Sequence, residues 1–164
     1  MKEKLDQAVE EISQHRDEII AKLLEFAKTD LLFFWGENRD LFLQQKEKWL
    51  PILDWAGKEL KVELHKTDKL DVPENKEMNG PLAQMLKDMS NKELACYYAA
   101  ALNMRSTLLA LALVKGRIHA EEACRLSYLE ELWQNKLWGS DDEAASRRQE
   151  RCEELKEIES YLHS

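Results

Sequence analysis

Two adjacent carboxylates beside a tryptophan are the first place in this chain to look for chemistry. Glu130 and Glu131 stand shortly before Trp133. Two facing carboxylates can share general acid and base roles, but neighbouring residues of a helix point about 100° apart and do not form such a pair together. The alternatives are a solvated helix face and a recognition patch beside an aromatic anchor.

The surrounding segment, residues 127–144, reads SYLEELWQNKLWGSDDEA. It places Trp133 and Trp138 between two acidic clusters, the second of which starts at Asp141. This pattern predicts one helix that ends at Trp138-Gly139 and another that starts at Ser140 with a capping box. Tryptophans are usually core residues, and they are also the usual anchors of protein interfaces.

Other residue types that carry chemistry are scattered. The four histidines, His15, His65, His119 and His163, have no zinc-ligand spacing and form no Glu-x-x-His motif. The chain contains no glycine-rich phosphate loop and no G-x-S-x-G motif. We therefore predict no metal, no cofactor and no catalytic residue, so that the protein is not an enzyme.

The three cysteines, Cys96, Cys124 and Cys152, are far apart in sequence and form no C-x-x-C motif. An odd number of cysteines on apolar helical stretches is typical of small core residues in a reducing compartment. We therefore expect them to be unpaired.

The composition predicts one soluble globular domain built from long helices. The chain has 164 residues, of which 44% are hydrophobic and 34% charged, with only five glycines and three prolines. Its net charge of −8 repels phosphate backbones, so nucleic-acid binding is not expected.

The first residues, MKEKLDQAVEE, resemble neither a secretory signal nor a mitochondrial presequence. This favours the bacterial cytoplasm, with the mitochondrial matrix as the alternative.

One apolar stretch, residues 94–114, is long enough to raise the question of a membrane. Asn103 and Arg105 lie at its centre, where an arginine costs about 2.5–3.5 kcal/mol on insertion scales. We therefore expect a buried helix and no integral membrane segment. The guanidinium of Arg105 either pairs with Glu130 or Glu131 or reaches the surface.

The periodicity of apolar residues predicts a mainly α multi-helix bundle with at most a small two-stranded β ribbon. A capping box at Ser90–Glu93 opens one of the helices. Residues 31–35 and 60–65 are the candidate strands, and 66–80 is the one long loop. The helices are predicted near residues 3–28, 39–48, 51–59, 81–89, 91–115, 119–138 and 141–162.

An ordered series of motifs from about residue 12 to residue 145 resembles the F-type ATP synthase assembly chaperones of the Atp-twelve family. The matching residues are Thr29-Asp30-Leu31-Leu32, Gln45, Trp49, Pro51-Ile52-Leu53-Asp54-Trp55-Ala56, Ser106, 108–114, Gly116-Arg117, Ala120-Glu121-Glu122-Ala123, Leu126-Ser127, Leu129-Glu130-Glu131, Trp133-Gln134, Trp138-Gly139 and Glu143-Ala144.

The resemblance implies an ATP-independent chaperone that binds the free α subunit of the ATP synthase and shields it from aggregation until it meets β. Residues 1–164 correspond to the family's helical C-terminal domain, and its β-rich N-terminal domain is expected to be absent from this chain. The implied protein is a monomer with a protein client. Its expected client-binding residues are Glu130, Glu131, Trp133, Gln134, Trp138 and Asp142.

The chain departs from the family pattern in ways that make its surface more apolar. Leu50 stands where the family has Asp, and Leu132 stands where it often has an acid. Phe34-Trp35 replaces Tyr-Arg, and Arg105 replaces a small residue.

A helical scaffold that acts by self-association or partner-helix binding is the alternative function. Apolar residues at near-heptad spacing in the first and last helices, Leu5-Val9-Ile12-Ile19 and Cys152-Leu155-Glu159-Leu162, permit such association.

Overall fold

The computed structural model describes residues 1–67 and 73–164, and helices account for most of both ranges. This confirms the predicted mainly α fold class. The α-helices are α1 (Lys2–Ala27), α2 (Arg39–Lys48), α3 (Leu50–Leu60), α4 (Asn79–Asp88), α5 (Asn91–Met104), α6 (Thr107–Val114), α7 (Ala120–Ser127), α8 (Leu129–Trp138) and α9 (Asp142–Leu162). Two short 3₁₀ helices cover Leu31–Phe33 and Lys76–Met78.

The centre of the bundle is formed by α5 and α6, the apolar stretch of the sequence. All residues of α6 except Val114 are buried, because this helix is apolar on every side and packs against α3, α5 and α7. Helices α1 and α9 cover α5 from outside. In the described ranges, no helix is both long and apolar enough to cross a bilayer.

The first helix covers the range that periodicity predicts and presents its apolar stripe to the core. Leu5, Ile12 and Leu23 are almost fully buried. The helix is kinked at His15, where the backbone leaves helical geometry (φ −130°, ψ 32°). Because the stripe is covered by the chain's own core, α1 does not offer it for self-association.

The predicted single helix over 91–115 is wrong, because the chain breaks at Arg105–Ser106. Arg105 adopts a left-handed conformation (φ 57°), and the hydroxyl of Ser106 then caps α6 by accepting a hydrogen bond from the backbone N–H of Leu109 at 3.0 Å. Arg105 is exposed at the end of α5. Of the two alternatives for its guanidinium, the structure therefore selects the surface and not a buried ion pair.

The cause of this break lies at the end of α1. The buried carboxylate of Asp30 accepts hydrogen bonds from the hydroxyls of Ser106 and Thr107 and from the backbone N–H of Leu108, at 2.7–2.9 Å. It also accepts one from the backbone N–H of Leu32. A carboxylate at a helix N-terminus satisfies donors that a continuous helix would not present.

The predicted helix over 119–138 is also divided, at Tyr128. Helix α7 ends at Ser127, and the indole of the buried Trp49 donates a hydrogen bond to the carbonyl of Leu126 at 2.9 Å, which fixes α3 against this bend.

The capping box at Ser90–Glu93 is present as predicted. The one expected at Ser140 is not, because Asp141 is the N-cap of α9.

The predicted β ribbon is reduced to a single parallel bridge between Phe34 and Thr67. Residues 31–33 form a 3₁₀ turn that Asp30 caps, so they are not a strand, and the partner is not 60–65. The predicted loop over 66–80 lies partly outside the described residues, at 68–72. Its later part contains the 3₁₀ turn Lys76–Met78 and the start of α4.

Two of the three cysteines are paired, contrary to expectation. A disulfide joins Cys124 of α7 to Cys152 of α9, with a Cα–Cα distance of 5.5 Å that suits such a bond. Cys96 is free and buried, and burial raises the pKa of its thiol to about 11. Sequence spacing does not show that α7 and α9 run side by side, which is why this pair was missed.

Candidate functional site

Helix α8 contributes little to the core and much to the surface. Trp133 is its one buried residue, and Leu137 and Trp138 are among the most exposed large apolar residues in the described ranges. The bend at Tyr128 sets the direction of the helix, and Gly139, with φ 81°, ends it. A residue with a Cβ rarely adopts such a positive φ. The glycine therefore allows the chain to turn here towards α9.

Helical periodicity divides α8 into two lateral faces. Leu129, Leu132, Trp133 and Lys136 follow the i, i+3, i+4, i+7 pattern of one face. Glu130, Glu131 and Gln134 lie on the other face. A groove borders each face, so α8 forms a ridge between them.

The first groove, called here the Trp133 groove, has a volume of about 690 Å³ and lies between α8, α7, α2 and the first half of α9. Its wall includes the apolar side chains of Leu129, Leu132 and Trp133. Its rim carries four cationic side chains, Lys48, Arg125, Lys136 and Arg148.

The second groove, called here the Glu130 groove, has a volume of about 620 Å³ and lies between α8, α9 and the end of α5. Glu130, Glu131 and Gln134 line one side of it. The other side carries Arg105, Arg147 and Arg151, and Leu102, which is 47% exposed, adds an apolar contact. The groove therefore combines both signs of charge with apolar surface.

The two adjacent glutamates differ in their surroundings. A carboxylate oxygen of Glu131 lies 3.1 Å from the guanidinium of Arg148, and both side chains are partly buried. Glu130 is exposed and forms no ion pair with any residue of the described ranges. Glu130 is thus the glutamate that is available to a partner, and Glu131 ties α8 to α9.

The two tryptophans of the segment touch each other but differ in burial. Their rings meet edge to face, with centroids 6.4 Å apart. Trp133 is 9% exposed and belongs to the core edge, whereas Trp138 is 76% exposed. One aromatic residue therefore supports the other from below and leaves it at the surface.

The structure brings together only part of the predicted client-binding set. Glu130, Glu131 and Gln134 share one groove, and Trp133 lies on the other side of the helix. Trp138 stands at the end of the ridge. Asp142 is exposed in the first turn of α9 and lines neither groove.

Three functional candidates were missed, namely Arg105, Arg147 and Arg151. The sequence signal for two of them is the basic run at residues 147–151, which contains three arginines and one glutamate. Only the packing of α9 beside α8 shows that two of its arginines face the glutamates.

The described residues offer no candidate metal centre. They contain no group of three or more His, Cys, Asp or Glu side chains that could hold a metal ion. The most perturbed carboxylate, Asp30, is fully buried, and burial raises its pKa above the ordinary value of 3.8. Its oxygens are occupied by four donors, so we assign it a structural role.

Comparison with known proteins agrees with the resemblance. The family model described as ATP12 chaperone protein matches residues 1–57. The Schizosaccharomyces pombe protein named "Protein atp12, mitochondrial" is 24% identical over 146 residues, which cover 82% of this chain and 50% of that protein. The chain thus spans about half the length of this curated relative.

Two solved structures share the fold over nearly the whole chain. The crystal structure of Atp12 from Paracoccus denitrificans superposes with a TM-score of 0.89 at 29% identity, covering 95% of this chain and 68% of that one. The Atu1473 protein of Agrobacterium tumefaciens gives a TM-score of 0.83 at 30% identity, covering 96% of this chain and 60% of that one. On these findings, the chain is similar to the ATP12 chaperone protein family in its first 57 residues and to Atp12 of Paracoccus denitrificans over nearly its whole length.

Proposed function

We propose that this chain acts as an ATP-independent assembly chaperone that binds the free α subunit of the F-type ATP synthase and shields it until it meets β. The observation that carries the proposal is the likeness to Atp12 of Paracoccus denitrificans over 95% of the chain. The relatives include a bacterial protein and one named as mitochondrial, so the bacterial cytoplasm and the mitochondrial matrix both stand as proposed locations.

The geometry that supports client binding is the Glu130 groove together with the exposed end of α8. Interfaces between proteins combine aromatic anchors with a charged rim that sets orientation and excludes wrong partners. Trp138 and Leu102 supply exposed apolar surface, and Glu130 supplies an unpaired charge. We assign the client to this side of α8.

Self-association through the terminal helices has less support. In α1 the exposed fractions of Leu5 and Ile12 are 2% and 1%, and in α9 Leu155 is fully buried. The apolar stripes that would have joined two chains are thus already covered within one chain. We therefore propose a monomer, and the scaffold function would need a different surface.

The test is the aggregation of purified ATP synthase α subunit, followed by light scattering with and without this chain. An acidic protein of similar net charge serves as the control for nonspecific protection, and the assay is run with and without ATP. We expect suppression by this chain alone and the same suppression without ATP. Unchanged aggregation in the presence of the chain would contradict the proposal.

The surface is tested by charge reversal at Glu130. Glu130→Lys should reduce suppression severalfold while the melting temperature stays unchanged, because surface substitutions usually change stability by less than about 0.5 kcal/mol. Glu63→Lys is the matched control, since Glu63 is also exposed but lines neither groove. Equal loss in both variants would show a net-charge effect and remove the Glu130 groove from the proposal.

A further inference from the structure

We propose that the Trp133 groove is a second binding site, separate from the Glu130 groove, and that it takes a protein segment in which apolar side chains alternate with carboxylates. The site lies on the face of α8 that the proposed client surface does not use. The proposal therefore does not depend on the identity of the client.

The first argument is the charge of the groove compared with that of the whole chain. The chain carries 32 acidic and 24 basic residues, which gives a net charge of −8. The Trp133 groove reverses this balance, because four cationic side chains line it and Glu122 is its single acid. A concave surface of opposite sign to the rest of the molecule attracts an anionic partner and orients it.

The second argument is that part of this charge is free. Lys136 is exposed and forms no salt bridge with the residues in 1–67 and 73–164. Lys48 has only its exposed neighbour Glu47, at 3.9 Å. Arg125 pairs with Glu121, but both side chains are more than 60% exposed, and such pairs contribute little and exchange readily. Arg148 is the one rim cation that a partly buried carboxylate, Glu131, engages.

The third argument is the apolar wall. Leu129 and Leu132 are half-buried beside Trp133, and no neighbouring element in the described ranges covers them further. A volume of about 690 Å³ is within the range of roughly 300–1,000 Å³ that is typical of binding clefts. Apolar side chains of a partner would therefore find a preformed pocket, with cations at its rim.

These features select a protein segment over other anions. A nucleic acid would bring a dense phosphate backbone against a chain of net charge −8, and the groove has too few cations to compensate. An acidic peptide with leucine or phenylalanine side chains meets both requirements at once. Leu132 adds apolar surface to the wall at the position where such a partner would insert its side chains.

The experiment is calorimetric titration of the full chain with a short synthetic peptide of leucines and phenylalanines interspersed with glutamates. The same peptide with every glutamate replaced by lysine is the charge control. We expect binding of the acidic peptide, which weakens as salt is raised, and no measurable binding of the basic one. Equal binding of both peptides would overturn the proposal, since it would show only hydrophobic adhesion.

Charge reversal locates the site. Lys48→Glu combined with Lys136→Glu should lower the affinity for the acidic peptide by about tenfold or more. The same variant should bind the basic peptide, because two rim charges change sign. The matched control combines Lys46→Glu with Lys58→Glu, which makes the same charge change at exposed positions outside the groove. If the control pair weakens binding equally, the site is not the Trp133 groove.

A single change in the wall provides an independent test. Leu132→Glu places a carboxylate among the apolar side chains and should abolish binding of the acidic peptide. Because Leu132 is partly exposed, the melting temperature should fall by only a few degrees and the variant should remain folded. Sedimentation of the free protein is measured in parallel. A dimer that the acidic peptide dissociates would show that a second copy occupies the groove and would replace the proposed partner. Unchanged binding in Leu132→Glu would contradict the proposal.

The two proposed surfaces are separable by experiment. Glu130→Lys should impair protection of the α subunit and leave peptide binding unchanged. The double variant at Lys48 and Lys136 should impair peptide binding and leave protection of the α subunit unchanged. Failure of client protection with intact peptide binding would thus refute the proposed function alone.

Discussion

The carboxylate of Asp30 accepts a hydrogen bond from the hydroxyl of Ser106 at 2.7 Å, at a position from which solvent is excluded. This contact joins the end of the first helix to the break between the two central helices. It determines where α6 begins and, through the turn at Arg105, which side of the bundle that arginine reaches.

Asp30→Asn should therefore destabilise the fold. An amide presents one acceptor oxygen and an NH₂ group to four donors, so at least one donor loses its partner, at a cost of about 1–3 kcal/mol. Urea denaturation of the variant measures this loss. Asp54→Asn, a change at an exposed aspartate of α3, is the control and should leave the free energy of unfolding unchanged.

The same residue predicts a pH dependence. Burial raises the pKa of Asp30 above the value of 3.8 expected in the unfolded chain, so between these two pKa values the folded state binds the proton more readily. The free energy of unfolding of the native chain, relative to Asp30→Asn, should then rise as the pH is lowered from 7 towards 4. If the free-energy difference between the two proteins falls as the pH is lowered, the four hydrogen bonds lower the pKa of Asp30 by more than burial raises it.

The two tryptophans of α8 should respond differently to truncation. Trp133→Ala removes a ring that is 9% exposed and should lower the free energy of unfolding by about 3 kcal/mol. Trp138→Ala removes a ring that is 76% exposed and should change it by less than about 0.5 kcal/mol. Thermal melts of both variants, beside a pull-down of the α subunit, separate the structural role of Trp133 from the surface role of Trp138.

The ion pair of Glu131 with Arg148 should contribute measurably to the attachment of α8 to α9. A double-mutant cycle with Glu131→Gln and Arg148→Gln should give a coupling free energy of about 0.5–1 kcal/mol, because both side chains are partly shielded from solvent. The exposed pair of Glu121 with Arg125 is the comparison and should give about 0.2–0.5 kcal/mol. Equal coupling in the two pairs would contradict the role assigned to Glu131.

The disulfide between Cys124 and Cys152 should stabilise the fold by closing a loop around α8. A bond between residues 28 apart in sequence restricts the unfolded chain by about 3–4 kcal/mol. Cys152→Ser should lower the free energy of unfolding by this amount. Cys96→Ser is the control, because it removes a thiol that is not part of the disulfide. Titration of thiols in the unfolded, unreduced chain should count one, and a count of three would refute the pairing.

The sequence by itself determined the helical class and most helix positions. Apolar residues in α1 and α2 recur at helical spacing, and Pro51 and Ser90 mark helix starts by local chemistry, so neighbouring residues suffice to predict them. The ordered motifs also pointed to the resemblance with the Atp-twelve family, since their order does not depend on knowing the fold.

The tertiary structure decided what depends on residues far apart in the chain. The break at Arg105–Ser106 requires a carboxylate 76 residues away, and the disulfide requires α7 and α9 to run side by side. The burial of α1's stripe and the two faces of α8 likewise follow from neighbours that periodicity does not reveal. Local propensity is set by adjacent residues, whereas a groove, a buried hydrogen bond and a cross-link are set by which elements pack together.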